Sequence, residues 1–416
     1  MKKFKYIIIG NSAGAIGGVQ GIRKVDQASE ILIITSEPWE TYSRPLISYW
    51  LQGKVKREKM HYRDPSFYKE NNCRIRYNTS VEKINPQDQT MALADGEIIG
   101  YEKLLVATGS IPFVPPIKGL PKNLKESKSI FTFTTLADAI GVKKGLTNDA
   151  RVVILGAGLI GLKAAEAMVN QCQSVTVVDL ADRVLPSVLE DKSSDIVKKH
   201  LETQAVDFML ETSITEIRDK EVLLSNGKSL PYEILILAVG TKPQCTLIQE
   251  ARGDIGRGIV TDHHQETTLK NIYAAGDCTQ SLDISSETQK NLAILPNAFL
   301  QGEVAGMNMA GEEAVYDQAF PLNSVGFMGL YILSAGTYDG VAYETQTPEQ
   351  YKKIFIKDNV LKGYIIIGDC MRGGIYTDLI REQTDLSTID LKMLITSPQI
   401  MAFNQSSRKE KLAQSH

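Results

Sequence analysis

The stretch RVVILGAGLIGLKAAEAMVNQCQSVTVVD, residues 151–179, decides the fold. It reads as an apolar strand, a glycine turn (GAGLIG, 156–161), a helix and a second apolar strand. Glycines in this order let backbone N–H groups at the helix start approach a pyrophosphate closely. The carboxylate of Asp179 can accept hydrogen bonds from a ribose diol and would repel a 2′-phosphate, so the unit predicts a site for NADH rather than NADPH. The candidate residues of this site are Gly156, Gly158, Leu159, Ile160, Gly161, Asp179 and, farther along, Gly240.

The same order of elements occurs near the N-terminus, in YIIIGNSAGAIGG at 6–18 followed by the apolar run Ile31–Ile34. This turn departs from the glycine pattern, because Ser12 and Ala15 occupy its second and third positions. The hydroxyl of Ser12 can donate to a phosphate oxygen, although its Cβ narrows the approach. A second turn of this kind predicts a second dinucleotide in the same chain. Its candidate residues are Gly10, Ser12, Ala13, Gly14, Ala15 and the acid Glu37.

The length and composition of the chain argue against several classes of protein. The chain has 416 residues, which favours two or three domains, and a net charge of −3, which does not favour a nucleic-acid binder. No apolar run approaches the roughly 18 residues of a membrane span. The five cysteines include no CxxC pair, and His263 and His264 are adjacent, so neither a disulfide framework nor a protein-bound metal is predicted. A reducing cytoplasm is the expected location.

The C-terminal part changes character after about residue 320. KKIFIKDNVLKGYIIIGD at 352–369 predicts two strands around an Asp358–Asn359 turn, and a helix is expected over 375–381. The last dozen residues are polar and are expected to fray. This stretch is therefore predicted to be a small α+β domain.

With NIYAAGDC (271–278) and PNAFLQGEVAGMNMAG (296–311), the two turns resemble the pyridine nucleotide-disulfide oxidoreductase type of FAD/NAD flavoprotein over roughly residues 4–320. The resemblance implies an α/β fold class with two Rossmann-like dinucleotide-binding domains, FAD in the first turn and NAD(H) in the second. The implied divisions are FAD-binding parts at 1–112 and 246–320, an inserted NAD(H)-binding domain at 113–245, and an α+β domain at 321–416 that serves as a partner or oligomer interface.

The resemblance also assigns residues to FAD. Asp277 would bind the ribityl chain, Arg44 and Pro45 would line the site, and Val81 would meet the adenine. The other FAD residues that it implies are Ala107, Thr108, Gly109, Gly276, Asn297 and Ala298.

Glu37 and the following YSRPLISYWLQGK (42–54) are most similar to the NADH:rubredoxin reductases, the flavin module of NADH nitrite reductases and NADH-linked electron-transfer subunits. This subgroup implies hydride transfer between NAD(H) and FAD, with electrons passing to or from a ferredoxin-like or rubredoxin-like carrier or an iron–sulfur subunit of a complex. Two alternatives remain open: an NADH oxidase that uses O₂ without a cysteine, and a flavoprotein whose redox state controls partner binding.

Two departures from the family bear on mechanism. No cysteine occurs between residues 1 and 72, and relatives carry their redox-active thiols in the stretch that corresponds to about 40–50 here, so a thiol relay through that stretch is not expected. Lys163 occupies a helix position where relatives commonly carry Glu, and a cation there would stabilise a reduced flavin. Lys163 is therefore the candidate catalytic residue, the alternative being a solvated lysine on the helix flank.

Three further features allow two interpretations each. Cys278 is either a redox thiol or a small residue packed against the cofactor. A locally basic run either docks an acidic carrier or is a solvated loop; it comprises Lys54, Lys56, Arg57, Lys59, His61 and Arg63. Apolar residues near the C-terminus either bind a partner subunit or fill their own core; they are Leu394, Ile395, Ile400, Met401 and Phe403.

Overall fold

The computed structural model describes residues 1–413 of the chain. These residues form two compact units. The first comprises Met1–Pro186, Glu202–Ser281 and Gln289–Asp317, and the second comprises Ser187–Leu201, Leu282–Thr288 and Gln318 onward.

Twenty-four strands and eleven α-helices are found in the described residues. The strands are β1 (Lys2–Ile9), β2 (Ile31–Ile34), β3 (Cys73–Arg76), β4 (Val81–Asn85), β5 (Thr90–Leu93), β6 (Ile98–Val106), β7 (Ser110–Pro112), β8 (Ile130–Phe131), β9 (Arg151–Leu155), β10 (Ser174–Val178), β11 (Val206–Met209), β12 (Ile214–Ile217), β13 (Glu221–Leu224), β14 (Ser229–Pro231), β15 (Ile234–Leu237), β16 (Thr241–Pro243), β17 (Ile272–Ala274), β18 (Ser281–Asp283), β19 (Thr288–Lys290), β20 (Leu322–Phe327), β21 (Leu330–Gly336), β22 (Val341–Gln346), β23 (Gln350–Lys357) and β24 (Val360–Gly368). The helices are α1 (Ala13–Val25), α2 (Leu46–Leu51), α3 (Phe67–Glu70), α4 (Leu136–Gly145), α5 (Leu159–Met168), α6 (Asp191–Thr203), α7 (Thr246–Glu250), α8 (Leu295–Ala310), α9 (Gly373–Arg381), α10 (Leu391–Thr396) and α11 (Gln405–Ala413).

The first sheet has the order β3-β2-β1-β6-β5-β4, with β17 pairing to β6. β1, β2, β3, β6 and β17 run parallel, while β4 and β5 form an antiparallel excursion. Both faces of β1 are covered: Tyr6 and Ile8 enter one core cluster, Ile7 and Ile9 the other, because side chains alternate along a strand. A strand from residues 272–274 thus completes a sheet begun at residue 2, so this sheet is discontinuous in sequence.

The second sheet is wholly parallel, in the order β11-β10-β9-β15-β8, and lies in sequence between β6 and β17. Its first βαβ unit is the stretch 151–179 on which the prediction of the fold rests. The two Rossmann-like sheets, together with the C-terminal antiparallel sheet described below, confirm the predicted fold class.

The two segments that connect the parallel sheets of the first unit pair with each other as a short two-stranded ladder. β7, which follows the first sheet, pairs antiparallel with β16, which follows the second. The ladder is extended by Phe113 N–H donating to Gly240 O (2.9 Å) and Gln244 N–H donating to Gly109 O (2.9 Å). The two small-residue segments ATGSIP (107–112) and AVGTKP (238–243) are therefore the two halves of the same connection.

The second unit contains an antiparallel sheet in the order β20-β21-β24-β23-β22, with α9 packed against β24. Asp358 and Asn359 both have positive φ (52° and 58°), as expected for the predicted hairpin turn between β23 and β24. Leu394 and Phe403 lie in the core of this unit and fill it. Met401 is 57% exposed, and binding of a partner subunit by this residue stays a prediction.

The expectation that the last dozen residues fray is wrong for residues 405–413, which form α11. Arg, Lys, Glu, Leu and Ala in this stretch favour helix, and no Gly or Pro interrupts it. Residues 414–416 lie outside the described residues.

Helices α1 and α8 pack unusually closely, because glycines face backbone on both sides. A Cβ on Gly17 would lie 2.1 Å from Phe299 O, and a Cβ on Gly302 would lie 2.0 Å from Gly14 O. These contacts involve main-chain atoms, which cannot rotate away. The pair brings the start of α8 beside the turn that opens α1.

We expect Gly302→Ala to lower the free energy of unfolding by roughly 1–3 kcal/mol, because the methyl group must separate the two helices. The measurement is the urea midpoint. Gly374→Ala is the matched control, since Gly374 lies in α9 and its Cβ would meet nothing within 4 Å. The control is expected to gain about 0.5–1 kcal/mol. Equal destabilisation of both variants would contradict this account of the packing.

Candidate functional site

The turn between β1 and α1 depends on a glycine at its first position. Gly10 has φ +112°, its N–H donates to Ile34 O (2.8 Å), and a Cβ on it would lie 2.1 Å from Ala107 O. Ser12 precedes the helix, and its side chain makes no capping hydrogen bond. Ala13, Gly14 and Ala15 are buried in the first turn of α1. The residues predicted for the first nucleotide turn therefore lie together at one helix start.

The turn between β9 and α5 repeats this geometry. Gly156 has φ +116°, its N–H donates to Val178 O (2.8 Å), and a Cβ on it would lie 2.3 Å from Ala238 O. A Cβ on Gly161 would lie 1.9 Å from Gly156 O, which explains the third glycine. Gly158 faces open space and precedes the half-buried Leu159 and Ile160. Room for a phosphate is therefore left at this helix N-terminus.

Each turn has its acid beside it. Asp179 follows β10, and its carboxylate accepts from the backbone N–H groups of Ala157 (2.5 Å) and Ala181 (2.7 Å). Glu37 lies near the end of β2, and its carboxylate accepts from the hydroxyl of Tyr42 (2.8 Å) and from the guanidinium of Arg44. Both carboxylates are held rigidly, and each oxygen keeps a lone pair for a further donor.

Arg44 is the cation of the first turn. Its guanidinium pairs with Glu37 and also donates to Thr134 O (3.3 Å). Burial alone would lower the pKa of Arg44. The neighbouring Tyr42 and Glu37 raise it by more, so the pKa of Arg44 lies above its ordinary value. The side chain therefore stays cationic. Pro45 stands next to it at the N-cap of α2.

Asp277 follows β17 and approaches the same region. The Ser110 hydroxyl donates to its carboxylate (3.3 Å). Burial raises the pKa of Asp277, and Ser110 and Arg44 oppose that rise. Gly276, with φ +85°, donates its N–H to the side chain of Gln301 (2.9 Å). The loop after β17 is thus fixed to α8.

The remaining predicted residues surround these groups. Asn297 is buried in the first turn of α8, where its Nδ2 donates to Leu292 O (3.0 Å) and its Oδ1 has no partner.

Thr108 donates to Gln244 O (2.8 Å) in the connecting ladder. Val81 opens β4, and a bond from Thr79 N–H to Thr35 O (2.9 Å) ties the preceding residues to the end of β2. Ala107, Gly109, Gly240 and Ala298 are main-chain neighbours of the same turns.

A cleft opens at the first turn. Its lining residues are Asn11, Ser12, Thr35, Glu37, Trp39, Glu40, Tyr42 and Arg44. Asn11 Nδ2 and Trp39 Nε1 are buried in this lining without a hydrogen-bond partner. Unpartnered buried donors, a free helix start and an acid for a ribose diol fit a dinucleotide such as FAD.

Lys163 is not a solvated lysine. Its side chain is 15% exposed and forms an ion pair with Glu166, which is 6% exposed. The Lys163 ammonium also donates to the Tyr49 hydroxyl (3.3 Å) and lies 4.4 Å from the centre of the Tyr49 ring. Because Tyr49 is on α2 and Lys163 on α5, this cluster joins the helix after Arg44 to the helix of the second turn.

Sequence reasoning missed Tyr42 and Glu166. Tyr42 is buried, donates to Glu37 and accepts from Leu136 N–H (3.0 Å), and burial raises the pKa of its hydroxyl. Its position within the motif Glu37 to Lys54 was the available signal. Glu166 lies one helical turn after Lys163, at a spacing that allows an ion pair.

The surroundings of Cys278 separate its two interpretations. Cys278 is fully buried, its thiol donates to Ala275 O (3.3 Å), and burial raises its pKa to about 11. It therefore remains protonated, as expected of a packing residue. Among the described residues no group of three or more His, Cys, Asp or Glu is placed to hold a metal ion. No helix within residues 1–413 is long and apolar enough to cross a membrane.

Comparison with known proteins agrees with this geometry. Residues 4–302 match the family described as pyridine nucleotide-disulphide oxidoreductase, and residues 321–384 match the rubredoxin NAD+ reductase C-terminal domain. The epsilon subunit of NADH-dependent phenylglyoxylate dehydrogenase from Aromatoleum evansii is 30% identical over 92% of this chain and 93% of that protein. An NADH oxidase from Methanocaldococcus jannaschii is 31% identical over 74% of this chain and 71% of that protein.

A solved structure shows the same fold. Putidaredoxin reductase in its covalent complex with putidaredoxin has a TM-score of 0.87 at 22% identity, covering 100% of this chain and 99% of that one. With two glycine turns of matched geometry and a family match over most of its length, this chain belongs to the pyridine nucleotide-disulphide oxidoreductase family.

Proposed function

We propose that this protein is an NADH-dependent FAD oxidoreductase that exchanges electrons between NADH and a rubredoxin-type or iron–sulfur protein. The observation that carries the proposal is the repeated turn geometry at Gly10 and Gly156. The match of residues 321–384 to rubredoxin NAD+ reductases supports a carrier protein as the second substrate. Five free cysteines support a reducing cytoplasm as its location.

The first turn holds FAD in this proposal. Bound FAD would supply the redox chemistry, which couples two-electron exchange with NADH to one-electron exchange with a carrier. Glu37 would accept from the adenosine ribose, the helix start at Ser12 would face the pyrophosphate, and Asp277 would accept from the ribityl hydroxyls. Asn297 Oδ1, buried without a partner, offers an acceptor to an N–H group of the cofactor. The other proposed FAD residues are Gly10, Ala13, Gly14, Ala15, Arg44, Pro45, Val81, Ala107, Thr108, Gly109, Gly276 and Ala298.

The second turn holds NAD(H). Gly158 leaves open space at the start of α5, and Leu159 and Ile160 add backbone N–H groups there. Asp179 is fixed by two backbone hydrogen bonds, so its carboxylate cannot swing away from a 2′-phosphate. This supports NADH over NADPH. Gly156, Gly161 and Gly240 shape the turn around it.

The electrons leave without a thiol relay in this proposal. The sequence has no cysteine between residues 1 and 72, and the Cys278 thiol is held protonated by burial. Lys54, Lys56 and Lys59 are exposed and offer a positive surface to an acidic carrier. Arg57 and Arg63 of the same run instead lie over aromatic rings and are outside this docking surface.

We expect NADH-dependent reduction of rubredoxin or a [2Fe–2S] ferredoxin to exceed O₂ consumption at least about tenfold, and to fall with added salt because opposite charges attract the carrier. Lys54→Gln with Lys59→Gln is expected to slow carrier reduction about two- to tenfold, while a small neutral dye is reduced at the original rate. Lys122→Gln, at another exposed lysine, is the control.

One relative supports a second candidate function, since the Methanocaldococcus jannaschii protein is named an NADH oxidase. The same assay separates the two functions. O₂ turnover that matches or exceeds carrier turnover, with no effect of salt, would favour the oxidase and overturn the carrier proposal.

Lys163 is proposed to tune the cofactor. Its ammonium lies one turn into the helix that begins at the NAD(H) turn, and Tyr49 connects it to α2 of the FAD site. The carboxylate of Glu166 partly cancels the positive charge of Lys163. The electrostatic field at the cofactor is therefore the sum of two opposed contributions, one from each group.

We expect Lys163→Gln to lower the flavin midpoint potential and Glu166→Gln to raise it, each by an amount on the order of tens of millivolts. The measurement is anaerobic potentiometric titration of the holoenzyme, with Lys122→Gln as a control. Shifts of the same sign in both variants, or none, would show that this cluster only joins the helices.

A further inference from the structure

Four buried polar atoms without a hydrogen-bond partner lie close together around the first turn. They belong to Asn11 (Nδ2), Trp39 (Nε1), Thr41 (Oγ1) and Arg57 (Nη1). Every one of them carries hydrogen and can donate. Buried donors without acceptors cost free energy, so a cluster in which every unpartnered atom can donate is suited to a ligand rich in acceptors.

Contacts within the structure show that these atoms share one region. Tyr68 connects Asn11 to Thr41, since its hydroxyl donates to Asn11 Oδ1 (2.9 Å) and accepts from Thr41 N–H (3.0 Å). The Arg57 guanidinium lies 5.6 Å from the centre of the Trp39 ring and 5.8 Å from that of Tyr42. Trp39 and Tyr42 line the cleft together with Asn11.

The charges of the side chains around the first turn favour an anionic ligand. Arg44 is already paired with Glu37, and His61 lies 3.7 Å from Glu40. Arg57 differs: within residues 1–413 no carboxylate oxygen is placed within 4.0 Å of its guanidinium. A pyrophosphate carries two negative charges, and Arg44, offset by Glu37, does not balance them. Arg57 supplies a positive charge that no carboxylate of the described residues pairs with.

We propose that Arg57 and Trp39 form a second anchor for the ADP half of FAD, with Arg57 donating to phosphate or ribose oxygens and Trp39 donating through its indole N–H. This inference rests on the proposed function, because FAD is the ligand. It assigns Arg57, a member of the basic run, and Trp39, whose ring the Arg57 guanidinium contacts, to cofactor binding and not to carrier docking.

The test measures FAD release from the holoenzyme on serial dilution, followed by flavin fluorescence, and its competition by ADP. Arg57→Met is expected to weaken FAD and ADP binding by the same factor, roughly 10- to 100-fold, as for loss of a charge-assisted hydrogen bond. Arg57→Lys restores part of the affinity. Trp39→Phe keeps the ring under Arg57 and removes one donor, so its loss is roughly three- to tenfold. Lys69→Met, at an exposed lysine of α3, is the control.

Each of the following results would overturn either the inference or the proposed function. Unchanged FAD and ADP binding in Arg57→Met, an equal loss in Lys69→Met, or a loss for FAD without one for ADP overturns the inference. If Arg57→Met does not fold, Trp39→Phe alone decides, and unchanged binding there overturns it. Failure of the unmodified protein to hold FAD overturns the proposed function instead, which keeps the two failures distinct.

Discussion

The site depends on two close contacts between backbone atoms, each at a glycine where a side chain would not fit. At Gly10 and at Gly156 a Cβ would lie within 2.3 Å of the carbonyl oxygen of the residue that directly follows the neighbouring strand of the sheet. With glycine there, the turn closes against Ala107 in one case and Ala238 in the other, and the helix starts with its N–H groups free. The same contact is made twice, so one chain has two helix starts whose N–H groups can face an anion.

Everything else positions these turns. The glycine contact between α1 and α8 brings Asn297 and the loop carrying Asp277 toward the first turn, and the β7–β16 ladder fixes the two connections between the sheets. Polar contacts between α2 and α5 add a third link, through Lys163, Tyr49 and Gln52. The arrangement leaves the first site rigid and lined with donors, and leaves the second open at Gly158.

Much of this was predictable from sequence, because local pattern determines it. The apolar runs at 6–9 and 151–155, the turns after them and the acids Glu37 and Asp179 all lie within short stretches of chain. Contacts between distant residues were not predictable. Tyr42 meets the backbone of Leu136, 94 residues away, and Arg57 lies over Trp39, and neither pairing leaves a pattern in one sequence. The helix over 405–413 was missed because its polar residues resemble a solvated tail, although they favour helix.

The central claim is that the two turns hold different nucleotides, one FAD retained and one NAD(H) exchanged. The direct measurement is the number of FAD molecules released from the purified, denatured protein per chain, together with the NADH needed to bleach the native flavin. The account predicts one FAD per chain, bleached by one equivalent of NADH without oxygen. Two FAD molecules per chain, none, or a flavin that NADH does not bleach would contradict it.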